Sequence, residues 1–135
     1  MTSVDERPLI EILRAQVADP VAVYLFGSVA RGDSSAASDL DVAVLAARPL
    51  TEAHRLAIEE QLAVAAGRDV DLVDLRRAST VLRAQVVGHG RLLFETDATA
   101  RELFEDLVYS AYADLNEARR AIIEDARAEG RILAR

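Results

Sequence analysis

The chain has 135 residues, 51% of them hydrophobic and 29% charged, with a formal net charge of −7 and no cysteine. That length suits one compact domain, and the apolar content supports a core, which excludes a disordered chain. The missing cysteines exclude disulfides and thiolate metal sites, and the acidic balance argues against direct nucleic-acid binding.

The N-terminus, MTSVDERPLIEIL, carries charges in its first turn and no signal-peptide pattern. Ser3 with Glu6 has capping-box spacing, and Leu9, Ile10, Leu13 and Val17 recur with helical period. Pro8 fits only a first turn, so a helix is predicted from there to Ala18, broken by Asp19-Pro20. VAVYLFG, residues 21–27, predicts a buried strand that Gly27 ends, and DLDVAVLA, residues 39–46, predicts a second. Thr51 is placed to cap a helix through Ala66 that Gly67 stops. RDVDLVDL, residues 68–75, alternates as a third strand, with Asp69 and Asp74 expected to face solvent.

Residues 79–87 return to helical period and Gly88-His89-Gly90 closes them, after which RLLFE reads as a short strand or an extended lead-in. From Ala98 to Ala128 there is no Pro or Gly, which predicts one long helix. The order indicates an α/β (α+β) fold with a small mixed β-sheet and a long C-terminal helix. No apolar run approaches the roughly 18 residues of a membrane span, so a cytoplasmic protein without membrane contact is expected.

Asp39 and Asp41 are two apart, so in a strand both carboxylates leave one face and repel each other. Asp71 on the third strand meets them if the two strands are neighbours. An all-oxygen set of this kind selects a hard cation, Mg²⁺ above all, completed by water and substrate phosphates. Two such ions about 4 Å apart serve phosphoryl or nucleotidyl transfer by activating the attacking oxygen and neutralising the leaving one.

Gly27 allows phosphate to approach the backbone, and Ser28 adds a hydroxyl and an N–H. Arg31 has the reach for a phosphate, and equally for Asp33. GSVARGDS has the glycine spacing of a P-loop, but Asp33 stands where that loop needs lysine. All sixteen basic residues are arginine, so a P-loop nucleoside triphosphatase is excluded. His54 and His89, without a cysteine or a third histidine, make no zinc site.

Taken together, Gly27-Ser28, ten intervening residues, Asp39-x-Asp41 and a third strand bearing Asp71 resemble the nucleotidyltransferase superfamily of DNA polymerase β. The string GSVARGDSSAASDLDVAV is similar to the minimal nucleotidyltransferases of prokaryotes. VDLVDLRRASTVLRAQVVGHGRLLFETD is similar to their branch of MntA-type antitoxins.

The resemblance implies a nucleotidyltransferase fold, a short sheet with helices packed on one side, in a single domain over 1–135 whose residues 98–130 form a C-terminal helical element. It implies transfer of AMP from ATP with release of pyrophosphate. Gly27, Ser28 and Arg31 would hold the nucleotide. Asp39 and Asp41 would ligate two Mg²⁺ ions, and Asp71 would complete one site and help deprotonate the acceptor. It also implies a partner, a small helical HEPN-domain ribonuclease toxin modified on a tyrosine within a hetero-oligomer. Two alternatives remain at this level: an antitoxin that masks its toxin physically, and a small-molecule nucleotidyltransferase of the aminoglycoside-modifying kind.

Overall fold

The two apolar runs flanking the Gly-Ser stretch pair with each other. In this computed structural model, which describes residues 5–27 and 39–133 and side chains as far as 129, β1 (Pro20–Phe26) runs antiparallel to β2 (Leu40–Ala46). β2 pairs in parallel with β3 (Val70–Asp74), and β1 pairs antiparallel on its other side with β4 (Arg91–Glu95). The resulting mixed sheet has the order β3-β2-β1-β4. RLLFE is therefore an edge strand.

Among the described residues four helices surround the sheet: α1 (Arg7–Gln16), α2 (Glu52–Ala66), α3 (Thr80–His89) and α4 (Ala98–Leu133). Pro8 lies in the first turn of α1 as its missing N–H requires. The N-cap is Glu6 without a side-chain cap bond, and Ser3 of the expected capping box lies outside the described residues. Thr51 caps α2 by accepting from the His54 N–H at 3.2 Å, and Gly67, at φ 67°, ends it in the left-handed region. Ser79 caps α3 by accepting from the Leu82 N–H at 3.1 Å. That helix runs through Gly88 and His89 and ends at Gly90, two residues later than its sequence predicts. A Cβ on Gly90 would lie 2.4 Å from the Val86 carbonyl oxygen and 3.1 Å from that of Leu25, so the chain needs glycine there to pass the end of β1.

The core has two layers. On one face Val23, Leu25, Val42, Val44 and Leu72 pack beneath Leu9 and Leu13 of α1 and Ile58 and Leu62 of α2. On the other, Ala22, Tyr24, Ala43 and Leu45 pack beneath Ala84 and Val86 of α3 and Phe104 and Val108 of α4. Helices thus cover both sides of the sheet rather than the one side expected. The reason is visible in β2, where every residue but Asp41 is buried: a central strand apolar on both faces needs a cover on each. Each fully buried leucine contributes about 2 kcal/mol over an exposed one.

Asp74 also departs from expectation. It is buried rather than solvent-facing, its carboxylate accepting from the Leu50 N–H at 2.8 Å and the Arg76 N–H at 3.0 Å. One backbone donor without a ladder partner lies in the turn after β3 and the other in the segment before α2, and this side chain satisfies both.

α4 has 36 residues, about 54 Å at 1.5 Å per residue. Its first turns are held to the sheet by the Tyr24 hydroxyl, which donates to Glu105 Oε2 at 2.8 Å, and by Arg101, which pairs with Glu95 and with Glu105 at 2.9 Å. Residues 117–129 are exposed throughout.

Candidate active site

The β2–β3 register sets the site. Leu40 lies opposite Val70 and Asp41 directly opposite Asp71. Lateral partners share a face, so both carboxylates emerge on the side of Ala43 and Val73, the side that α3 and α4 cover farther along the sheet. There the apolar layer stops and the strand ends carry charge instead. Asp39 stands one residue before β2, and the Leu40 N–H donates to the Asp69 carbonyl at 2.9 Å, which extends the pairing to its level. Asp39 and Asp71 are exposed and Asp41 is half-buried, while Asp69 is exposed as expected. The sheet thus brings the three sequence-predicted aspartates to one end of the β2–β3 pair.

Gly27 closes the neighbouring strand against them. Its φ is +74°, and a Cβ built on it would stand 2.2 Å from Asp41 Oδ2. Two requirements therefore converge on glycine, a left-handed backbone and room for a carboxylate. Ser28 and Arg31, the other two sequence-predicted nucleotide ligands, lie outside the described residues.

Beside Gly27 a cavity of about 490 Å³ opens between the end of β1 and the end of α3, lined by Phe26, Gly27, Gln85 and His89. Gln85 does not stand out in the sequence, where His89 is considered only as a metal ligand. The available signal was their spacing: residues four apart on a helix share a face. His54 is exposed on α2, the helix that covers the opposite side of the sheet.

Among the described residues no three His, Asp or Glu side chains are grouped closely enough to hold a metal ion, Asp39, Asp41 and Asp71 included. The donor set nevertheless suits Mg²⁺, which takes one or two carboxylates and completes its shell with water and phosphate oxygens. Asp41 and Asp71, adjacent and acceptor-only when ionised, are donors of that kind.

A profile of the Polymerase beta, Nucleotidyltransferase family matches residues 8–99. The chain is 43% identical over 128 residues to Protein adenylyltransferase MntA of Shewanella oneidensis, covering 95% of this chain and 91% of that one. Among solved structures, it superposes with a TM-score of 0.83 and 43% identity on a chain from a toxin-antitoxin crystal structure with AMP-PNP, over 91% of this chain and 98% of that one. A chain from a tri-AMPylated Shewanella oneidensis HEPN toxin in complex with MNT antitoxin aligns at 42% identity and a TM-score of 0.76, covering 90% of this chain and 94% of the other.

Proposed function

Because the chain belongs to the polymerase beta nucleotidyltransferase family, we propose that it is a protein adenylyltransferase that moves AMP from ATP to a tyrosine of a HEPN-type toxin and so acts as its antitoxin. The observation that carries this reading is the Asp41–Asp71 pair on adjacent parallel strands, with Gly27 seated on the Asp41 carboxylate.

In this reading Gly27, Ser28 and Arg31 receive the triphosphate, the glycine by letting it approach the backbone and the other two as donors. Asp39, Asp41 and Asp71 would hold two Mg²⁺ ions, which when bound offset the charge of the phosphates and of the carboxylates themselves. Asp71, exposed at the rim, accepts the proton of the incoming tyrosine hydroxyl. The hydroxyl oxygen bonds to the α-phosphorus as the bond from that phosphorus to the oxygen bridging to the β-phosphorus breaks. The electron pair leaves with pyrophosphate, and Asp71 returns its proton to solvent. Net, one phosphodiester forms on the tyrosine for each pyrophosphate released.

The acceptor is a macromolecule in this reading because no described element builds a closed acceptor site beside the aspartates, and their rim is open to solvent. The exposed distal half of α4, with Ile122 and Ile123 67% and 49% exposed, offers the surface for holding such a partner. Incubation with the toxin and ATP labelled at the α-phosphate tests the proposal. Label on a toxin tyrosine, with loss of toxin activity, is the expected result. Label on no protein while the toxin is still silenced favours physical masking, and label on a small molecule favours the aminoglycoside-type reading.

A further inference from the structure

β3 is an edge strand, so the ladder to β2 holds it from one side alone. The Leu40 N–H donates to the Asp69 carbonyl and the Leu75 N–H to the Val44 carbonyl, both at 2.9 Å. The odd-numbered residues of β3 therefore turn their backbone groups to β2. Those of Leu72, in the alternate position, point out to the open edge. A bare edge of this kind is a template for pairing with another chain.

Two α2 side chains occupy that edge. Glu59 Oε2 accepts from the Leu72 N–H at 2.8 Å, and Arg55 Nη1 donates to the Leu72 carbonyl at 2.8 Å. Arg55 Nη1 also bonds Glu59 at 3.0 Å, and its Nε donates to Glu52 at 2.9 Å. Residues four apart on a helix share a face, so this pair offers an acceptor and a donor together, as a neighbouring strand would. The Glu59 and Arg55 side chains are 23% and 21% exposed, which limits competition from water.

The peptide they hold is the one that follows Asp71. Its N–H, from Leu72, lies in one rigid plane with the Asp71 carbonyl, which faces β2. Glu59 and β2 thus grip that plane from opposite edges and fix how the Asp71 backbone is turned. The Asp71 side chain is exposed and makes no hydrogen bond or ion pair among the described residues, so its backbone aims the carboxylate.

We propose that Glu59 and Arg55 are positioning residues that act through the Leu72 peptide to hold Asp71 in place opposite Asp41. The inference rests on the nucleotidyltransferase reading above and adds to it a helix-borne clamp that aligns one carboxylate of the site.

Amide hydrogen exchange and AMP transfer, measured on single and double variants of the full chain, test it. In metal-free protein, Glu59→Ala is expected to speed exchange of the Leu72 amide while the amides of β1 keep their protection. With Mg²⁺, α-labelled ATP and the toxin, Glu59→Ala should lower transfer about tenfold or more, the scale of losing a group that orients a ligand. Glu59→Gln keeps an acceptor oxygen and should restore most of the rate. In an Asp71→Asn background Glu59→Ala should cost little more, because a residue acting through Asp71 then has no carboxylate to aim. Rates are compared where thermal melts show every variant folded. If Glu59→Ala does not fold, Arg55→Met takes its place with the same expectations for transfer. Unchanged Leu72 exchange, an unchanged rate in the folded variant, or an equal loss with and without the Asp71 carboxylate overturns the clamp. Wild-type protein that transfers no label overturns the clamp and the proposed activity together, whereas normal wild-type transfer with indifferent variants overturns the clamp alone.

Discussion

Asp41 stands directly opposite Asp71 across the parallel β2–β3 pair, so two carboxylates that repel each other share one face at one end of the sheet. Adjacent like charges on paired strands cost stability, and a bound cation reverses that sign. Asp71→Asn is therefore expected to melt at or above the wild-type temperature without ligand and to lose most of the stabilisation that Mg²⁺-ATP confers. Asp41→Asn and Asp39→Asn should each lower AMP transfer by about a hundredfold or more, the scale of losing a centre that stabilises transition-state charge. Thermal melts with and without Mg²⁺-ATP, alongside transfer of α-labelled ATP, check both halves.

Gly27 and Gly67 form a natural control pair. Both have positive φ, 74° and 67°, but a Cβ at Gly27 meets Asp41 Oδ2 at 2.2 Å while one at Gly67 meets nothing within 4 Å. Gly67→Ala should lose only the left-handed backbone preference, about 1–2 kcal/mol, and keep full activity. Gly27→Ala carries the same backbone cost and also displaces the Asp41 carboxylate. It should lose activity out of proportion to stability, as denaturation midpoints and transfer rates measured on both variants would reveal.

Asp74 carries structure rather than chemistry. Its buried carboxylate holds the N–H groups of Leu50 and Arg76. Asp74→Ala leaves those donors without their acceptor and should cost about 2–3 kcal/mol, read as a lower urea midpoint at unchanged slope. Residual folded protein should retain its transfer rate, which separates this aspartate from the three at the strand ends.

Tyr24 links the sheet to α4 and makes stability depend on alkaline pH. Burial, and then the bond to Glu105, push its hydroxyl well above the ordinary tyrosine range. A raised folded-state value means the contribution is fully present below the unfolded value of about 10, and is lost as pH rises through the folded one. Stability should fall above pH 10, and Tyr24→Phe should flatten that part of the profile. Chemical denaturation of both proteins between pH 8 and 11 reads the difference.

The far half of α4 should be needed for partnership and dispensable for folding. Ile122 and Ile123 lie on the exposed distal portion, beyond the last residues buried against the sheet, Phe104 and Val108. Replacing both with Glu should leave the isolated melting temperature unchanged and abolish co-elution with the toxin on size exclusion. Co-elution that persists would place the contact elsewhere.

Local chemistry decided much of this protein on its own. The cap Thr51, the stop at Gly67 and the alternation in residues 68–75 depend on neighbours within a few positions, so they are legible without the fold. The Gly27-Ser28, Asp39-x-Asp41 and Asp71 pattern could be read from the sequence because the proposed chemistry would restrict residue type at each place. Tertiary structure decided the rest. RLLFE became a strand only because β1 had an edge left to pair, and no property of those five residues encodes that vacancy. Asp74 is charged and so is expected at the surface, yet it shares the buried side of Val70 and Leu72, where its carboxylate accepts from the Leu50 N–H before α2 and the Arg76 N–H in the turn after it. Gln85 and His89 sit on a helix whose own pattern says only which side is apolar. That their polar side faces Gly27 follows from where α3 crosses the end of β1, a relation between residues some sixty positions apart in the chain. Such contacts are set by the packing of layers, and packing acts on surfaces that the linear order does not display.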